Sequence, residues 1–231
     1  WDGIAGIGVM YNKMIAPFGH FAMTGMAWYQ GESDVGIPGY ADRLRELFAG
    51  WREQIGQGAK MLVVQLPNWG PTTDRPTASD WAEIRDEEFK GVAADRNAAL
   101  IPTLDIGENT NLHPLDKLDV GLRLAMAAEG KALIMPVSAK RRGGAVVVGF
   151  SGVEGGLHTW SSGHAIGVEL CGAAQESCRY APATAVGDTL SIADDGKPAT
   201  RVRYAWIDSP AVNLYDARAL PVPGFELPIG Q

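Results

Sequence analysis

Phe21-Ala22-Met23-Thr24-Gly25-Met26-Ala27-Trp28-Tyr29 is an apolar run that stops at the polar turn Gln30-Gly31-Glu32. It reads as a buried strand ending in that turn. After a loop holding Gly36, Pro38 and Gly39, the residues Tyr40, Leu44, Leu47, Phe48, Trp51 and Ile55 recur at helical spacing. Met61 to Leu66 is a second short apolar strand, bounded by Pro67. Asp80 offers an N-cap with Glu83 three residues on, and Trp81, Ile84, Phe89 and Val92 mark the helix that follows. Ala99 to Asp105 reads as a third strand, and Leu115 to Ala128 as a helix with Pro114 at its first turn. Strands alternating with helices predict an α/β fold: parallel strands joined by right-handed crossovers, with helices on both faces. In such a sheet reactive groups gather at the carboxyl ends of the strands, where both Gln30-Gly31-Glu32 and the loop carrying His113 fall.

Outward from this core the pattern changes near residue 137. Ala145 to Phe150, His164 to Cys171, Thr189 to Ala193 and Arg201 to Ile207 read as short strands, separated by turns at Gly143-Gly144, Gly155-Gly156, Gly187-Asp188 and Asp195-Gly196. The division expected is 1-136 for the α/β part and 137-231 for a β-rich module. Lys140-Arg141-Arg142 reads as a solvated loop. The first residue is Trp1, which suggests a processed or truncated polypeptide.

At 231 residues, 46% hydrophobic and 20% charged, the chain can bury a sizeable core. Its net charge of −7 disfavours sequence-independent binding to nucleic acid or to an anionic membrane. Its apolar runs, such as Met61 to Val64, fall far short of the ~18 residues of a membrane helix. A neutral partner fits better. Cys171 and Cys178 are either a disulfide closing a small loop or two free thiols.

Among the four histidines, spacing supports no metal site. His113 stands apart: a histidine in a strand-to-helix loop can project over the sheet edge and act as general base toward a serine hydroxyl. The bland alternative is a packed or capping histidine. The Gln30 amide and the Gly31 N–H at a strand end can both donate to an oxyanion. Ser33 lacks the G-x-S-x-G context of a nucleophile elbow, because Val35 holds the last position. A turn role is its default.

Met10-Tyr11-Asn12-Lys13-Met14-Ile15-Ala16-Pro17 and Trp28-Tyr29-Gln30-Gly31-Glu32-Ser33-Asp34 resemble the sialate O-acetylesterase-like branch of the SGNH hydrolases. So do Asp105-Ile106-Gly107, Leu112-His113-Pro114-Leu115-Asp116-Lys117, Val120-Gly121-Leu122-Arg123-Leu124-Ala125, and, near the end, Arg203-Tyr204-Ala205-Trp206, Asn213-Leu214-Tyr215 and Leu220-Pro221. The resemblance implies part of a three-layer SGNH-type parallel sheet with flanking helices, followed by a C-terminal all-β module. It implies a hydrolase that removes acetyl groups from sugar hydroxyls through a serine nucleophile and an acyl-enzyme. His113 matches that family's catalytic histidine. Gln30, Gly31 and Glu32 fall in the block that serves the oxyanion and substrate. The implied substrates are O-acetylated sialic acids or acetylated plant polysaccharides such as xylan and xyloglucan. No metal or organic cofactor is implied, and the large substrates imply a secreted or periplasmic protein.

Two departures qualify the resemblance. The family's Gly-Gln-Ser-Asn block is absent from this chain. Its serine is therefore expected on a companion N-terminal polypeptide, or the chain is a catalytically incomplete fragment. The positions two and three before the histidine are Asn111 and Thr110, leaving Asp105, Glu108, Asp116, Asn111 or a backbone carbonyl to orient the ring. A general base must be neutral to accept a proton, so activity is expected to fall at acid pH. A reading of another class is a non-catalytic carbohydrate-binding or scaffold fragment, in which Trp160, Tyr180 or Trp206 stacks on sugar rings. Core packing is the competing role for those aromatics.

Overall fold

The computed structural model describes residues 8–230; Trp1 lies outside them. Three parallel strands, β1 (Gly25–Trp28), β2 (Lys60–Val64) and β3 (Ala98–Ile101), form a sheet in the order β1-β2-β3. They alternate with α1 (Tyr40–Ile55), α2 (Asp80–Ala93) and α3 (Lys117–Ala128). Helix α1 forms because Tyr40, Ala41, Leu44, Phe48 and Ile55 make one apolar stripe, and it stops at Gly56, whose φ of 119° is open to glycine. Met61, Leu62, Val63 and Val64 are all buried, so β2 is covered on both faces. Helices α1 and α2 pack side by side, and α3 packs across β2 and β3.

From Met135 the chain builds an eight-stranded sheet: β4 (Met135–Arg142), β5 (Ala145–Ser151), β7 (Val168–Cys171), β8 (Arg179–Tyr180), β9 (Ala183–Val186), β10 (Thr189–Ala193), β11 (Arg201–Tyr204) and β13 (Phe225–Gly230). Their order is β8-β7-β11-β13-β4-β5-β10-β9, antiparallel except for β13 beside β4. Val146 and Val148 of β5 face Ile192 and Leu190 of β10, all buried, which fixes the register through one apolar face. Strands β6 (His158–Thr159) and β12 (Leu214–Tyr215) pair separately. Cys171 and Cys178 are disulfide-bonded, tying the end of β7 to the start of β8 and deciding between the two alternatives left by the sequence.

Several boundaries differ from the expected ones for identifiable reasons. Phe21 and Met23 are not in a strand, because their N–H groups donate to the carbonyls of Gln54 and Ile55 at the end of α1. The N-cap of α2 is Ser79, not Asp80: its Oγ accepts from Ala82 N at 2.9 Å, and Asp80 lies in the first turn, where its charge suits the helix dipole. Helix α3 begins at Lys117 rather than Leu115, since Asp116 caps it by accepting from Asp119 N. Lys140-Arg141-Arg142 is the end of β4 and not a loop, with Arg141 paired to Asp194.

The two sheets meet across a buried polar seam. Gln65, just past β2, donates from Nε2 to the carbonyls of Arg85 (3.0 Å) and Gly224 (2.9 Å) and accepts from Gly224 N (3.0 Å). Asp86 accepts from Glu226 N at 2.7 Å. Gln65 and Asp86 are each bonded on both sides of the seam, so they fix how α2 sits on β13.

One buried acid makes stability depend on pH. Glu169 in β7 has no exposed surface, and neither carboxylate oxygen finds a hydrogen-bond partner among the described residues. Burial pushes its carboxyl up to about 7, against the opposing pull of Arg203. The folded state therefore holds this proton at a pH where the unfolded chain has released it. The stability contributed is complete below the ordinary glutamate range and is lost as pH rises through about 7. Urea melts should show the protein losing on the order of 3 kcal/mol from this group between about pH 4 and 8. Glu169→Gln should flatten that slope, and an unchanged slope would mean another group carries it.

Candidate active site

All three parallel strands deliver their carboxyl ends to one edge, where Tyr29-Gln30-Gly31-Glu32 follows β1 and the loop from Pro102 to Asp116 follows β3. The Lys117 ammonium sits 4.8 Å from the centre of the Tyr29 ring, so the start of α3 reaches across to the β1 turn. The two segments marked by the sequence therefore share one edge.

Gln30 is held on both sides of its amide. Its Nε2 donates to Asp34 Oδ2 (3.0 Å), and its Oε1 accepts from the Tyr40 hydroxyl (3.1 Å), which also meets the Gln30 carbonyl (2.5 Å). Trp28 Nε1 donates to that hydroxyl at 3.2 Å. One N–H of the amide stays available, in a fixed direction. The Gly31 N–H donates to Glu32 Oε2 (3.0 Å), so an arriving oxyanion must displace that carboxylate. Burial, with Glu32 and Glu88 nearby, pushes the Tyr29 phenol up to about 12. Ser33 is exposed in the short turn Glu32–Asp34.

Beneath this turn lies Glu88, which the sequence reading passed over. It has no exposed surface, accepts from Leu66 N at 2.9 Å, and leaves Oε1 without a partner among the described residues. A Cβ on Gly31 would stand 3.1 Å from that oxygen and 3.0 Å from Ile84 and Leu66, which is why glycine occupies the position. Burial raises the Glu88 carboxyl well above the usual range. The signal was present: Trp81, Ile84 and Glu88 fall on one helical face.

His113 is exposed, and its ring makes no hydrogen bond among the described residues. Each acid that might orient it is engaged elsewhere. Both Asp105 oxygens take Arg123 N–H groups at 2.7 Å. Glu108 accepts from Leu115 N at 2.8 Å, and Asp116 caps α3. Asn111 accepts the backbone N–H of His113 (3.1 Å), so it shapes the loop and not the ring. The loop itself is anchored. Gly107 lies so close to Asn68 that a Cβ would fall 2.4 Å from its carbonyl oxygen, and Gly70 N donates to Asn109 O at 2.9 Å. A fixed loop presenting a free imidazole can serve a nucleophile brought from outside this chain.

Among the described residues, one group could be tested against a metal: Glu169, Cys171 and Cys178. Both sulfurs are committed to the disulfide, and the group lies in the second sheet.

No protein-family model matches the chain. No curated protein matches it either. Among solved structures it is similar to a novel carbohydrate acetylesterase from Xanthomonas citri, at 32% identity and a TM-score of 0.79. The similarity covers 94% of this chain and 53% of that one, so the chain spans about half the length of that enzyme. Over almost its whole length, then, this chain has the mixed α/β fold of a carbohydrate acetylesterase.

Proposed function

We propose that the protein is the histidine-bearing part of a carbohydrate O-acetylesterase of the sialate O-acetylesterase-like SGNH type. The observation that carries this reading is the shared fold and 32% identity with a carbohydrate acetylesterase across 94% of the chain. Exposed His113 at the carboxyl edge of the parallel sheet supports it.

In this mechanism an upstream segment with the Gly-Gln-Ser-Asn block places its serine against His113. The neutral imidazole takes the hydroxyl proton as the serine oxygen attacks the acetyl carbonyl. The free N–H of Gln30 donates to the oxyanion, and Gly31 N–H joins it once Glu32 swings aside. The imidazolium returns its proton to the departing sugar oxygen, and water then releases acetate by the reverse sequence. The net charge of −7 favours a neutral polysaccharide such as acetylated xylan or xyloglucan over an anionic sialic acid. The disulfide supports a secreted or periplasmic location.

The test is acetate release from acetylated xylan by the chain together with its upstream segment, with and without a serine-directed inhibitor. Inhibitor-sensitive release is expected. Release that ignores the inhibitor, or none at all, would overturn the reading.

A further inference from the structure

Trp160 follows β6 and leaves 53% of its surface exposed, although its ring is fixed on two sides. Its Nε1 donates to His158 Nε2 at 2.7 Å, which places the His158 ring proton on Nδ1. The two ring centres are 6.2 Å apart with planes only 23° from parallel. A bond running edge to edge at that separation sets the rings side by side, as one widened surface. Tyr215 of β12 lies 5.2 Å from Trp160 at 31° and backs one face. The backbone is held too: Trp160 N donates to Asn213 O (2.9 Å), and Asn213, itself buried, returns Nδ2 to Trp160 O (3.1 Å) and to His164 O (3.0 Å). The open face is thus preorganised, and little side-chain entropy remains to be lost on binding.

Its surroundings select the ligand. Ser161 and Ser162 are exposed beside it, and the segment from Leu157 to Ile166 carries no lysine or arginine. An exposed flat aromatic surface in an uncharged segment suits the C–H face of a neutral pyranose. Tyr215 pairs with His158 across the two short strands, so the three rings sit together on one small sheet. The other aromatics named from the sequence differ: Trp206 is buried beneath the Arg203 guanidinium at 4.1 Å, and Tyr180 has no stacking partner among the described residues.

We propose that Trp160, widened by His158 and backed by Tyr215, is a stacking subsite for an unacetylated pyranose of the polysaccharide substrate. The proposal rests on the carbohydrate reading above and adds to it a grip on the polymer separate from the reacting ester.

Isothermal titration with xylohexaose, which carries no acetyl group, tests it. The wild-type chain should bind, and Trp160→Ala should weaken binding by at least about tenfold, the scale of one lost aromatic stacking contact. His158→Ala, which keeps the indole and removes its anchor, should lose less, and Tyr180→Ala should match wild type. Absence of wild-type binding, or a Trp160→Ala affinity within about twofold of wild type, would overturn the proposal. Binding lost in Trp160→Ala but without acetate release from acetylated xylan leaves the subsite standing and removes the esterase reading. Acetate release with an affinity indifferent to Trp160 does the reverse.

Discussion

In the proposed enzyme, whose serine comes from a companion segment, His113→Ala is expected to lower kcat on 4-nitrophenyl acetate by roughly 10³-fold or more, with KM nearly unchanged. The size follows from the role proposed for His113, that of taking the serine proton. The cleanness of the experiment follows from the structure. The ring is exposed and makes no hydrogen bond among the described residues, so its removal opens no cavity and orphans no partner. The folding free energy should therefore move by no more than about 0.5 kcal/mol. A large loss of rate at unchanged stability would assign His113 to chemistry. A rate within about threefold of wild type would leave the histidine a loop residue and assign the base elsewhere. Substituting Asp105 would be less informative, since that carboxylate holds Arg123 and its loss would disturb α3.

How much of this was legible in the sequence depends on what kind of force decides each feature. Helix α1 is legible because a single apolar stripe determines it, although Leu47 and Trp51 are only half-buried and Ala41 and Gln54 join the buried face. The caps at Ser79 and Asp116 lie one or two positions from the expected helix starts, because several cap-capable residues lie together and only the folded chain shows which oxygen meets the N–H groups. The β1 run was read too long, since the competing partners of Phe21 and Met23 lie at the end of α1, more than thirty residues away. The site followed the same division. Gln30 and His113 were marked by their places at strand ends, but the engagement of Gln30 by Asp34 and Tyr40, and of Glu108 by Leu115, are side-chain geometries that no spacing encodes. Arg85 and Glu88 look like solvated charges in Arg85-Asp86-Glu87-Glu88, yet they share the buried face with Trp81 and Ile84.

Arg85 is expected to carry a large stability effect for a single side chain. It is 1% exposed, and it donates from Nη2 to the carbonyls of Ala205 (3.0 Å) and Ile207 and from Nη1 to Asp208 O (3.2 Å). Burial lowers its guanidinium to about 10, so it stays charged at neutral pH despite the desolvation. Arg85→Met keeps most of the volume and removes that desolvation cost, which by itself would stabilise. Against this, the acceptors are backbone carbonyls that no substitution deletes, and Ala205 and Ile207 are buried. Each orphaned carbonyl costs about 1–3 kcal/mol, so the loss should win, at roughly 3–5 kcal/mol in a urea melt. A change below about 1 kcal/mol would mean that water reaches the 205–208 turn. The damage should also travel to the site. Asp208 accepts from Trp69 N (3.2 Å) and from Ser79 Oγ (2.5 Å), and Gly70 in turn holds Asn109 of the His113 loop. Hydrogen exchange should accordingly rise first in residues 205–209 and 68–70, then at 107–113, while α1, which shares none of these bonds, keeps its protection.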